Sequence, residues 1–193
     1  FDAMEIRDHG ALVNRRASVT LDLSSIAKGF GVDQVAEAVR GFGFTDFLVE
    51  IGGETYASGR RRDGQPWRVG ISTPRPDALP EEIHAVVTLQ DQALATSGDY
   101  RNFFIKNGVR YSHIIDPRTG YPVANRVVSA SIQGRDCTLA DGLATAVLVM
   151  GAENGLALIE QLEGIEGLIV TAGPDGRLED HLSAGFRATP PKP

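Results

Sequence analysis

The sequence is poor in cysteine. Cys137 is the only one among 193 residues, so no internal disulfide and no zinc–thiolate cluster can form, and either redox compartment stays open. No apolar run approaches the length needed to span a bilayer. Basic residues are outnumbered, with a net charge of −6, which argues against a general nucleic-acid binder. There is no Gly-Lys-Ser/Thr phosphate loop, and Gly29-x-Gly31 lacks the third glycine of a dinucleotide fingerprint. Internal repeats and low-complexity blocks are absent. The chain opens at Phe1-Asp-Ala-Met-Glu5 without a leader-like run, which reads as a mature product or a fragment.

What is present is an ordinary globular composition, 42% hydrophobic and 23% charged, long enough for one sizeable core. The most informative stretch is Cys137 to Gly151. From Leu139 to Met150 it reads as a helix, with Leu143, Val147 and Met150 on one face and Ala146, Leu148 and Val149 covering much of the rest. A helix apolar nearly all round is buried. Only Asp141 and Thr145 break the pattern, and a spacing of four points both the same way. Two readings stand. Thr138-x-x-Asp141 is a capping box, or Asp141 and Thr145 are hard oxygen ligands for a cation.

Several other segments carry polar or special residues. Val32, Val35, Ala36 and Val39 predict a helix stopped near Gly41. Its approach, Ser24-Ser25 and then Ala27-Lys28-Gly29-Phe30-Gly31, reads either as a cap with a solvated lysine or as a loop close to an anion. Ala17–Leu23, Phe47–Ile51, Trp67–Ile71, His84–Gln90, Tyr111–Ile115, Arg126–Gln133 and Gly167–Thr171 read as strands, with Trp67–Ile71 returning from a charged hairpin at 59–64. Ala152–Leu162 reads as a helix with Leu156 and Ile159 inward. Thr96-Ser97-Gly98-Asp99 is a turn or a polar ligand wrapper, and Tyr100, Phe103 and Phe104 read as core. His113 shares a strand face with Tyr111 and Ile115 and taken alone is more often structural than catalytic. His9 and His84 read as structural or loop residues.

The ordered set Leu21-Asp-Leu-Ser-Ser-Ile-Ala-Lys-Gly-Phe-Gly-Val-Asp33, Val49-Glu-Ile-Gly-Gly53, Pro66-Trp-Arg-Val-Gly-Ile71, Ala95-Thr-Ser-Gly-Asp-Tyr-Arg-Asn102, Ser112-His-Ile-Ile-Asp-Pro-Arg-Thr-Gly-Tyr-Pro122 and Ala140-Asp-Gly-Leu-Ala-Thr145 resembles the FAD:protein FMN transferases, the ApbE-like flavin transferases. The likeness runs from about Ala17 to Thr171, without the N-terminal part of that fold. With the element pattern it gives an α+β class: a mixed, largely antiparallel sheet with covering helices. Length gives one domain over residues 1–187, and the proline-rich end reads as a disordered tail at 188–193.

The resemblance also implies a chemistry. Members cleave the FAD pyrophosphate with magnesium, place FMN on a threonine or serine hydroxyl of an acceptor protein and release AMP. Asp141, Thr145 and the main-chain carbonyl of Ala27 match the metal ligands, although Ala144 stands where some relatives carry an acid. His113 matches the base. Ser24, Lys28, Phe30, Ser97, Gly98 and Asp99 match nucleotide-binding positions. The implied partners are FAD and an acceptor flavoprotein, and the implied location is periplasmic or membrane-tethered. Two rivals share the site: a magnesium-dependent FAD pyrophosphatase, and a flavin-binding module without catalysis.

Overall fold

The structure is a computed structural model that describes residues 3–79, 81–100, 103–106 and 109–191. A small hairpin comes first, β1 (Met4–Ile6) against β2 (Leu12–Asn14). Residues 17–23, expected as a strand, run irregularly into helix α1 (Ser24–Gly41). Next come β3 (Phe47–Ile51), β4 (Glu54–Ser58), β5 (Trp67–Ser72), β6 (Ile83–Leu89) and β7 (Gln92–Gly98). Two short hairpins follow, β8 (Phe103–Lys106) with β9 (Val109–Ser112), and β10 (Ile115–Asp116) with β11 (Tyr121–Pro122). The chain ends with β12 (Val127–Gly134), helices α2 (Cys137–Met150) and α3 (Ala152–Ile159), and β13 (Glu166–Ala172), β14 (Leu178–Leu182) and β15 (Ala188–Thr189).

The main sheet has six strands in the order β14-β13-β12-β7-β4-β3, and every pair in it is antiparallel. A second sheet, β15-β6-β5, packs beside it. The α+β class with antiparallel sheets and covering helices is therefore as expected. Two details differ. Trp67–Ser72 pairs with β6 in the second sheet instead of returning to the strand before the charged loop. Ala188 and Thr189, within the expected disordered tail, pair with Val87 and Val86, because β6 otherwise offers an open edge.

Period-two alternation splits the main sheet into two apolar faces. Ala95, Ala130, Ile132 and Ile169 face α2 and α3, where they pack with Ala140, Ala144, Val147, Leu148 and Ile159. Leu94, Val128, Leu168 and Val170 face the second sheet and pack with Ile71, Val87, Leu89 and Phe186. A third cluster, Val32, Ala36, Val49, Tyr56, Ala93 and Cys137, seats α1. Phe104 does not join a core: it is 52% exposed and stacks on Tyr111 at a centroid distance of 5.1 Å.

Candidate functional site

The site begins where α1 meets α2. The pattern of small residues at 27–31 was compatible with a loop, but α1 starts at Ser24 and carries them inside its first turns. Glycine inside a helix is unfavourable, so a compensating contact is expected. It is found at Gly29, where a Cβ would lie 2.4 Å from the Cys137 carbonyl oxygen and 2.8 Å from the Asp141 Cβ. Only a residue without a side chain lets the helices approach this closely. The Gly29 amide donates to Asp141 Oδ2 at 2.9 Å. One turn later, Asp33 accepts from the Cys137 and Thr138 amides at 3.0 and 2.8 Å and from the Thr138 hydroxyl at 2.5 Å. Asp136 caps α2 by accepting from the Leu139 amide at 2.7 Å. The capping reading of Asp141 is thereby displaced: other acids satisfy the helix start, and Asp141 lies one turn in, 2% exposed.

Asp141 opens onto a cavity of about 1050 Å³ between the start of α1, the end of β7 and the segment after β9. Its walls include Ser24 and Lys28 of α1, Ser97 and Gly98 of β7, His113 after β9 and Thr145 of α2, four separate segments of the sequence. The hydroxyls of Ser97 and Thr145 are 3.0 Å apart, joined across β7 and α2. Gly98 has no room for a side chain, since a Cβ would meet the Tyr100 ring at 2.6 Å. His113 sits in the break between β9 and β10, exposed at the cavity wall.

Three other expected positions fall elsewhere. Ala27 is in the first turn of α1 and outside the lining, so its carbonyl belongs to a helix and not to a free loop. Asp99 lies just beyond β7, its amide donating to the Val128 carbonyl at 3.3 Å. Phe30 points to a different cavity of about 670 Å³ on the far side of the α1–α2 seam, beside Asp33, Glu37 and Leu139. Conversely, Asp22, Ser25, Gly52, Thr96 and Tyr100 line the main cavity. Asp22 accepts from the Ser24 amide at 2.8 Å, and that bond holds its carboxyl below the usual range. Tyr100 lines the cavity instead of joining the core, and its position directly after the Ser-Gly-Asp cluster is the sequence signal for that placement.

Burial pushes the Asp141 carboxyl above its ordinary value, and the Gly29 amide and the Lys28 charge oppose this only in part. A buried acid in that state favours a cationic partner. The oxygens that line the cavity with it include the Ser24, Ser97 and Thr145 hydroxyls, and with its carboxylate they make a set suited to magnesium or calcium. The Cys137 thiol offers no alternative, because burial raises it to about 12 and keeps it protonated. No group of three or more His, Cys, Asp or Glu residues able to hold a metal occurs among the described residues. A cation here therefore rests on few protein ligands, with waters and ligand oxygens completing the shell, as magnesium prefers. The residues present fit such an ion.

Fold and site together define an α+β domain with an oxygen-lined cavity suited to an anionic ligand and a hard cation. The sequence model of the ApbE family matches residues 1–169, and the chain belongs to that family. It is 47% identical over 167 residues to the FAD:protein FMN transferase of Vibrio cholerae serotype O1, covering 86% of this chain and 49% of the relative. It is 40% identical over 155 residues to the protein of the same name from Haemophilus influenzae, covering 80% and 44%. Among solved structures, the flavin transferase ApbE from Vibrio cholerae superposes with a TM-score of 0.83 at 42% identity, covering 96% of this chain and 57% of that one. The apbe protein of Thermotoga maritima gives 0.79 at 33% identity, covering 95% and 57%. The chain thus spans about half the length of the curated relatives it matches.

Proposed function

We propose that this chain serves the magnesium-dependent transfer of FMN from FAD to a threonine or serine hydroxyl of an acceptor protein, with release of AMP. The observation that supports this best is the convergence of Lys28, Ser97, His113, Asp141 and Thr145 on one cavity. In this reading Asp141 and Thr145 would hold the cation, with waters and ligand oxygens completing its shell, while the Ala27 carbonyl stays within α1 outside the lining. When bound, the cation neutralises charge on the diphosphate and on the departing AMP.

The chain's own groups divide the remaining work. Lys28 supplies a positive charge at the cavity wall, and Ser24, Ser97 and Gly98 offer hydroxyl and backbone groups to a phosphate or ribityl chain. His113 takes the proton of the acceptor hydroxyl as its oxygen bonds to the FMN phosphorus. The bond from that phosphorus to the bridging oxygen breaks, and AMP leaves with the oxygen. Imidazole is the usual acceptor for such a proton near neutral pH. Asp99 and Phe30 stand outside the cavity lining, so in this reading they act at its margin or not at all.

The test is product analysis. The chain is incubated with FAD, magnesium and a candidate acceptor, and flavin fluorescence is read on a denaturing gel alongside nucleotide chromatography. Covalent flavin on the acceptor with an equal amount of AMP supports transfer. Free FMN with AMP assigns a pyrophosphatase, and bound FAD without AMP assigns a binding module.

A further inference from the structure

One group at the acidic seam has no part in the chemistry above. Glu54 opens β4 directly after Gly52 and Gly53 and is 1% exposed. Its Oε1 accepts from Lys28 Nζ at 2.6 Å. Its Oε2 is the one buried side-chain polar atom without a hydrogen-bond partner among the described residues. Burial holds this carboxyl above its ordinary range, the Lys28 bond opposes that, and the Asp141 charge adds to it. A buried acid with an unmet oxygen beside a second acid works against folding.

The arrangement makes sense from the side of Lys28. That side chain is 47% exposed and lines the cavity, while its stem passes Gly52, where a Cβ would lie 3.2 Å from Lys28 Cδ. An ammonium has three donors. One bond to Glu54 leaves two for the cavity. A free lysine gives up rotamer freedom when it grips a ligand, whereas a lysine already held has given it up on folding.

We propose that Glu54 is a positioning residue that pins the Lys28 ammonium at the cavity wall, so that its remaining donors meet the diphosphate of the ligand. This rests on the reading of the ligand as a flavin dinucleotide. Because Lys28 reaches solvent, removing Glu54 strands no buried cation.

FAD affinity in magnesium, read by quenching of flavin fluorescence, is compared for the chain as it stands, Glu54→Ala, Lys28→Ala and the double variant, with thermal unfolding of Glu54→Gln alongside. Glu54→Ala should weaken FAD about tenfold, the scale of one charge-assisted hydrogen bond. The double variant should bind no more weakly than Lys28→Ala alone, since Glu54 acts only through Lys28. Glu54→Gln should melt at or above the unsubstituted chain, which a structural role would not allow. Losses that multiply in the double variant, or a lower melting temperature for Glu54→Gln, overturn the proposal. Full FAD affinity in Glu54→Ala overturns it alone. Failure of the unsubstituted chain to bind FAD overturns it together with the flavin reading.

Discussion

The two faces of the six-stranded sheet follow different rules. Toward the second sheet, Leu94, Val128, Leu168 and Val170 meet Val87, Leu89 and Phe186 in an apolar layer. Toward the helices, the core around Ile132 and Ile169 is as dry, but at its rim Glu54 and Asp141 lie buried with Lys28 as the nearby cation. The first face contributes stability at roughly 25 cal/mol per Å² of apolar area buried and asks nothing of chemistry. The second gives some of that back by holding acids in a dry place. Acids kept so are ready for a positive partner, and the one unsatisfied buried oxygen lies on that face among the described residues.

Substitutions on the two faces should therefore separate stability from function. The largest effect expected is at His113. His113→Ala should slow flavin transfer by about a hundredfold to ten-thousandfold while FAD still binds, measured by covalent flavin formed over time and by fluorescence titration. Normal turnover in that variant makes the residue structural. On the sheet-facing side, Leu168→Ala should cost about 2–5 kcal/mol in urea unfolding, with FAD affinity per folded molecule unchanged. A matched loss of affinity there would erase the distinction between the faces.

Gly29→Ala sits between these cases. The new methyl has to push against the Cys137 carbonyl and the Asp141 Cβ, so about 1–3 kcal/mol of stability should be lost. Magnesium affinity in the presence of FAD should fall as well, because Asp141 loses its fixed place; calorimetry checks both. The smallest effect is one of pH. Burial raises the Glu54 carboxyl, so the folded chain keeps that proton longer than the unfolded chain does. Its contribution to stability is fullest below the ordinary carboxylate range and declines as pH rises through the raised value. Glu54→Gln removes the decline, and urea unfolding over roughly pH 4 to 8 should give a flatter curve than the unsubstituted chain.

Much of this contrast was legible in the sequence. The apolar circumference of 139–150 with Asp141 and Thr145 four apart located the buried helix and the acid on it, because helical period alone fixes which groups share a face. The strands at 47–51, 127–134 and 166–172 were marked by β-branched and apolar runs. Other features depend on contacts between distant segments. Residues 27–31 resemble a loop until Gly29 is seen against Cys137, more than a hundred positions away. The pairing of β5 with β6 across a proline-rich link, and of Ala188 with Val87, follows from open sheet edges and not from local pattern. Glu54 directly follows Gly52 and Gly53 and carries no local sign of burial; its burial and its bond to Lys28 appear only once β4 is placed beside α1.

The most direct measurement is AMP release from FAD in the presence of a candidate acceptor as magnesium is titrated, compared between the unsubstituted chain and Asp141→Asn. The side chains are nearly the same size, so the fold should survive, as unfolding curves can verify. Expected is saturable, magnesium-dependent release in the first and almost none in the second at any magnesium concentration. Equal release from both, or release indifferent to magnesium, would contradict a cation-assisted site built on the α1–α2 seam.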